Sequence, residues 1–196
     1  MSATNRGAAR HPDDFYATPY WCVDRLLEAV PLPLGLWLEP WAGDGAIVRA
    51  VQRHSDLEVQ WLTNELSADR APEGSRIGDY RSWRATGNVV LSNPPYKDAT
   101  ECAEWAISRA STVALLLRLN WLEGQKRAAF HKQHPSSVYV LPNRPSFTGR
   151  GTDATAYAWF VWGMPGRPTV SVLNTTPRSE RLAARSDTQK VGKAHA

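Results

Sequence analysis

The chain has 196 residues, enough for one domain with a full hydrophobic core. Its 42% hydrophobic and 21% charged residues are ordinary for a globular protein, and no apolar run is long enough to span a membrane. The net charge of +4 permits a polyanionic partner without requiring one.

Residues 1–14 are polar and aperiodic, which predicts a disordered tail. They contain no apolar signal-peptide segment, so a cytoplasmic location is expected. "TPYWCVDRLLEAV" (18–30) reads as a helix, with Thr18 as N-cap, Pro19 in the first turn and Trp21, Val23, Leu26, Leu27 and Val30 on one face. "LWLE" (36–39) is a short apolar strand, "PWAGDG" a glycine turn and "AIVRAVQRH" a helix. "LEVQWLTNEL" is a second strand ending at Glu65, and "GSRIGDYRSW" holds a short extended piece ending at Asp79. "GNVVLSNPPY" is a fourth strand that stops at a rigid corner. "TECAEWAISRA" is a helix, and "TVALLLRL" is a strand apolar enough to be buried on both faces. "EGQKRAAFHKQH" is a polar helical segment. "SSVYVLPNR" and "TAYAWFVWG" are further strands, joined by an irregular loop that suits an antiparallel pair. The reading is therefore α/β: one Rossmann-like domain over residues 15–174, a mostly parallel sheet with an antiparallel strand pair at the end, and a mobile basic tail over 175–196.

Two well-separated cysteines, Cys22 and Cys102, are expected as reduced thiols, and the histidines form no metal-binding pattern, so no metal is expected. Nine tryptophans are unusual at this length. Most should be core, with some available as a surface for stacking on bases.

In α/β sheets ligands bind beyond the carboxyl ends of the strands. Those ends carry Glu39, Pro40, Ala42, Gly43, Asp44 and Gly45 after the first strand, Glu65 after the second, Asp79 and Tyr80 after the third, and Asn93, Pro94, Pro95 and Tyr96 after the fourth. The glycine turn is not a dinucleotide fingerprint, because Val48 stands where the third glycine belongs. Its carboxylates would repel a pyrophosphate. They suit a ligand with an ammonium group, ribose hydroxyls and an adenine amine, and S-adenosylmethionine has all three. The acid at the end of the second strand is placed to accept the ribose hydroxyls.

"YATP" (16–19), "EPWAGDG" (39–45) and "NPPY" (93–96), in that order, resemble the DNA N6-adenine methyltransferases of phages and bacteria. The resemblance covers about residues 15–163 and is strengthened by "RPSF" (144–147). The family loop usually begins with Asp; here Glu39 keeps the charge on a longer side chain, and Trp41 is bulky. The resemblance implies a methyltransferase fold in which Tyr16, Thr18, Pro19, Glu39, Pro40, Ala42, Gly43, Asp44, Gly45, Glu65, Asp79, Tyr80 and Asn93 hold S-adenosylmethionine. It further implies that the Asn93 side-chain oxygen and the Pro94 carbonyl accept the two N–H bonds of the adenine amine, while Pro95 stiffens the corner. Tyr96 and Phe147 would stack on a flipped base. Lys97, Lys126, Arg127, Lys132, Arg144 and Arg150 flank the crevice and could neutralise DNA phosphates. The NPPY corner alone also fits enzymes acting on RNA adenine or protein glutamine, and a catalytically inactive nucleic-acid-binding subunit is a third reading. The chain has little room for a separate target-recognition region, which implies a short or relaxed target sequence or a recognition partner.

Overall fold

The computed structural model describes residues 17–54, 56–147 and 154–184. Its elements are α1 (Tyr20–Ala29), β1 (Gly35–Glu39), α2 (Ala46–Gln52), β2 (Val59–Glu65), β3 (Arg76–Ile77), β4 (Gly87–Ser92), α3 (Ala99–Ile107), β5 (Ala110–Arg118), α4 (Gln125–Gln133), β6 (Ser137–Val140), β7 (Tyr157–Trp162) and β8 (Val170–Val172). The eight strands form one sheet in the order β3-β2-β1-β4-β5-β7-β6-β8. β1, β2, β3, β4 and β5 are paired in parallel. β7 runs antiparallel to both β5 and β6. This is the α/β architecture expected, with the antiparallel pair at one end of a parallel sheet.

Strand side chains alternate between two faces, and this alternation builds two cores. Trp37, Val89, Leu91, Ala114, Leu116, Trp159 and Val161 face α1 and α2. Their neighbours Leu38, Val90, Val113, Leu115, Leu117, Phe160 and Trp162 pack with the alanine face of α3 and with Phe130 of α4. A sheet buried on both faces needs near-continuous apolar strands, and "VALLLR" in β5 and "YAWFVW" in β7 meet that need. Cys22 and Cys102 are buried free thiols, Cys22 in the first core and Cys102 on α3.

Several expectations are corrected. Pro19, not Thr18, is the N-cap of α1, and no side chain caps it. Most tryptophans are core, as expected: Trp21, Trp37, Trp83, Trp121, Trp159 and Trp162 are buried, while Trp41, Trp61 and Trp105 are half-buried and Trp41 lines the cavity described below. β8 extends the sheet as a further strand, parallel to β6. The segment after residue 174 does not leave the domain at once. Residues 178–184 are helical and pack on α1: Tyr20 Oη donates to the Glu180 carbonyl at 3.1 Å, Arg25 meets the Glu180 carboxylate at 3.5 Å, and Ala184 is 2% exposed. The tail beyond residue 184 and residues 1–14 lie outside the described residues. No helix among the described residues is long and apolar enough to cross a membrane, and no group of three or more His, Cys, Asp or Glu among them could hold a metal.

Candidate active site

The carboxyl ends of β1, β2, β3 and β4 converge on one cavity of about 250 Å³. The glycine turn forms its floor. β1 delivers Glu39 and Pro40, then the chain turns through Gly43 (φ 55°) and Gly45 (φ 79°) into α2. Gly45 is the left-handed N-cap of α2, and a Cβ there would sit 2.8 Å from Pro72 Cγ. Asp44 closes the turn: its Oδ1 accepts from Ala46 N at 3.1 Å and its Oδ2 meets Arg49 at 2.9 Å.

The end of β2 ties this turn in place. Glu65 Oε2 accepts from Gly43 N at 2.8 Å. Its Oε1 accepts from Ser67 N at 3.1 Å and from Arg70 Nε at 3.1 Å, with Arg70 Nη2 at 3.0 Å. Oε1 is thus saturated, while Oε2 retains one lone pair. Asn64 is 1% exposed and donates through Nδ2 to the Pro40 carbonyl at 3.0 Å and the Gly78 carbonyl at 3.1 Å. That amide links the β1 turn to the segment after β3. There Asp79 Oδ1 accepts from Arg81 N at 2.9 Å, and Arg81 pairs in turn with Glu101. Tyr80 is buried between Trp41 (ring centroids 4.9 Å apart) and Trp105 (5.7 Å).

Glu39 is the electrostatic anomaly. It is 1% exposed, lines the cavity, and its Oε2 has no hydrogen-bond partner among the described residues. Burial, reinforced by the neighbouring Asp44, pushes its carboxyl well above the usual carboxylate range. A buried acceptor without a donor is costly, and a cationic or N–H-bearing ligand would remove that cost. The cavity wall as a whole is acidic: Glu39, Asp44, Glu65, Asp79 and Asp98 against Arg70, Arg81 and Lys97.

β4 supplies the corner. The strand ends at Ser92, Asn93 follows, and Pro95 caps a 3-10 turn over Tyr96–Asp98 that leads into α3. Asn93 and Pro95 line the cavity, and Pro94 is buried behind it. Asn93 Nδ2 donates to Thr18 Oγ1 at 3.1 Å. Thr18, from the stretch before α1, therefore touches the corner and the cavity together. Tyr96 turns away from this cavity. Its ring lies 5.6 Å from the Tyr157 ring, and the Arg118 guanidinium sits 5.0 Å over it. Burial raises the Tyr96 phenol well above its ordinary value, and Tyr157 adds to the shift.

The cavity thus gathers Thr18, Glu39, Pro40, Ala42, Gly43, Asp44, Glu65, Asp79, Tyr80 and Asn93 from the residues singled out in the sequence. Pro19 and Gly45 shape its surroundings without lining it. Tyr16 and Arg150 lie outside the described residues. Phe147 is not a stacking platform: it is 7% exposed and packs edge-on against Tyr157 at 5.1 Å, inside the core. Arg127 is largely structural, with its guanidinium bonded to the carbonyls of Trp121 (2.8 Å), Asn120 and Glu123. Lys97, Lys126, Lys132 and Arg144 are exposed. Sequence reading missed Asn64, Trp41, Arg70 and Gly78 as cavity residues. Of these, Asn64 directly precedes Glu65 at the strand end, the one local signal that could have found it.

No protein-family model and no curated protein sequence matches the chain. Its fold is similar to that of a protein described as a modification subunit of a type I restriction enzyme from Vibrio vulnificus, with a TM-score of 0.60 and 15% identity over 96% of this chain. The chain spans about half, 55%, of that subunit. It also resembles a protein described as an RNA methyltransferase from Pyrococcus horikoshii (TM-score 0.56, 13% identity, 75% of this chain and 86% of that one). A class I S-adenosylmethionine-dependent methyltransferase from Listeria monocytogenes superposes with a TM-score of 0.54 at 9% identity, over 88% of this chain and 68% of that one. At these identities the likeness is one of fold, and the fold is the Rossmann-like class I methyltransferase fold.

Proposed function

We propose that the protein transfers a methyl group from S-adenosylmethionine to the N6 amine of adenine in DNA. The observation that carries this reading is the placement of Asn93-Pro94-Pro95-Tyr96 at the end of β4, with Asn93 and Pro95 in the wall of an acidic cavity. The cofactor fits the residues present. Glu39, with its unpartnered buried oxygen, suits the ammonium group, and the remaining lone pair of Glu65 Oε2 suits a ribose hydroxyl. Asp79, Tyr80 and Trp41 suit the adenine. When bound, the cofactor supplies a methyl group already activated on a sulfonium.

The chain's own task is then positioning. An adenine amine is a weak nucleophile because its lone pair is delocalised into the ring. Accepting its two N–H bonds at the Asn93 side-chain oxygen and the Pro94 carbonyl would draw the nitrogen toward tetrahedral geometry. Thr18 contributes by accepting from Asn93 Nδ2, which fixes the orientation of the amide. The prolines fix the corner's φ angles and remove competing N–H donors. No strong base is needed before transfer, and the proton departs afterwards.

DNA is preferred over RNA adenine or protein glutamine because "YATP" and "RPSF" accompany the corner, and because one similar fold belongs to a restriction-enzyme modification subunit. A short or relaxed target sequence goes with this reading. The test is methyl incorporation from labelled cofactor into unmethylated DNA, RNA and protein side by side, with Asn93→Ala as control. Label confined to RNA or protein would reject the DNA substrate, and no label anywhere would favour a binding subunit.

A further inference from the structure

A notch of about 10 Å³, room for the centre of one oxygen-sized atom, lies where three segments meet. Pro19 and Trp21 come from the start of α1, Arg144 and Ser146 from the connection after β6, and Arg181 and Ala184 from the helical segment 178–184. No carboxylate lines the notch among the described residues.

Three features suit it to an anion. α1 runs for ten residues with no side-chain cap and no acidic residue in its first turn, so nothing in that turn offsets its positive pole. Ser146 is 6% exposed, yet its Oγ has no hydrogen-bond partner among the described residues. A buried hydroxyl without a partner costs stability, so packing alone would favour alanine there. Arg181 is anchored: its Nε donates to the Thr176 carbonyl at 3.1 Å, and Thr176 N donates to Asn143 Oδ1 at 2.6 Å, one residue before Arg144. That anchor uses one of the five guanidinium N–H groups.

The notch is also tied to the corner from two sides. Pro19 follows Thr18, which accepts from Asn93. Phe147 follows Ser146 and packs on Tyr157 at 5.1 Å, and Tyr157 packs on Tyr96 at 5.6 Å.

We propose that the notch is a phosphate subsite, which seats one backbone phosphate of the DNA strand whose adenine is presented to Asn93. One phosphate oxygen enters the notch, where the Ser146 hydroxyl and the first turn of α1 donate to it. The other oxygens stay outside with the guanidinium groups of Arg144 and Arg181, whose planar forks match phosphate geometry. The proposal rests on the DNA reading above and deepens it.

The test uses the full chain and a fluorescent adenine-containing DNA, with binding followed by anisotropy. Each phosphate near the adenine is replaced in turn by a neutral methylphosphonate. Ser146→Ala deletes an unpaired buried hydroxyl, so it should melt no lower than the wild type. It should nevertheless bind DNA about tenfold more weakly, with an unchanged salt slope. Arg181→Gln should weaken binding about tenfold and reduce the slope of log affinity against log salt by about 0.9, one phosphate contact. Arg181→Lys, which keeps the charge, should retain the slope. One neutral linkage should weaken the wild type about tenfold but Arg181→Gln by no more than about threefold. S-adenosylhomocysteine binding, followed by tryptophan fluorescence, should match in all three variants. Ser146→Ala binding as tightly as wild type, or equal losses at every linkage in wild type and Arg181→Gln, overturns the subsite and leaves the proposed function standing. Inorganic phosphate that raises the wild-type Tm above that in chloride at equal ionic strength, with no sensitive DNA linkage, would assign the notch to a free phosphate and overturn the strand assignment. No DNA binding by a wild type that still binds S-adenosylhomocysteine overturns both readings.

Discussion

Glu39 and Asn93 carry the account at the scale of single residues, and each gives a distinct prediction. The carboxyl of Glu39 is raised by burial. Its native form therefore holds a proton that the unfolded chain has lost once pH exceeds the ordinary value of about 4.5. Stability must fall as pH rises from there through the native value. Glu39→Gln removes that loss. It should melt higher than the wild type at pH 8, with the difference shrinking toward pH 4, while binding S-adenosylhomocysteine more weakly because an amide cannot give up a proton to meet the ligand's ammonium group. Equal melting of the two proteins at pH 8 would contradict the burial argument. Asn93→Ala removes an acceptor aligned on the reacting amine, and kcat should fall by at least about 10²-fold, read in single-turnover assays. These residues were legible because short motifs place them at strand ends. Asn64 and Arg70 were not, because their roles depend on partners brought together by the fold: the Pro40 and Gly78 carbonyls for one, Glu65 for the other. Phe147 misled for the same reason, since nothing local distinguishes an aromatic that stacks on a base from one packed on Tyr157.

The elements follow from the alternation of apolar residues, and the cavity follows from how they end. Gly45 shows this coupling. It turns β1 into α2 with a left-handed backbone that also lets Pro72 approach. Gly45→Ala should cost about 1–2 kcal/mol, measured as a lower urea midpoint at unchanged m-value. Strands β1, β4, β5 and β7 were readable because they are buried and strongly apolar. β8 and the helical segment 178–184 were not. A three-residue edge strand with exposed side chains has no periodic signature, and in the short helical segment only the last three residues are apolar, of which Leu182 is exposed and Ala184 alone is buried. Its docking is testable: Ala184→Asp would bury an unpaired charge and should lower stability by about 1–3 kcal/mol. A midpoint equal to wild type would mean that the segment contributes nothing.

The whole molecule distributes its charge unevenly. A net charge of +4 conceals an acidic cavity at β1, β2, β3 and β4 and a basic one behind the corner. Composition could not reveal this, because it averages over surfaces that only the sheet order separates. A ligand of the first cavity should stabilise the fold by mass action. At one hundred times its Kd, S-adenosylhomocysteine should add about 2.7 kcal/mol and raise Tm by about 5–10 °C. The central claim is methyl transfer to adenine, and its most direct measurement is nucleoside analysis of unmethylated DNA incubated with the protein and labelled S-adenosylmethionine. The account predicts labelled N6-methyladenine, absent with Asn93→Ala. DNA that stays unlabelled while RNA or protein acquires the methyl group would contradict it.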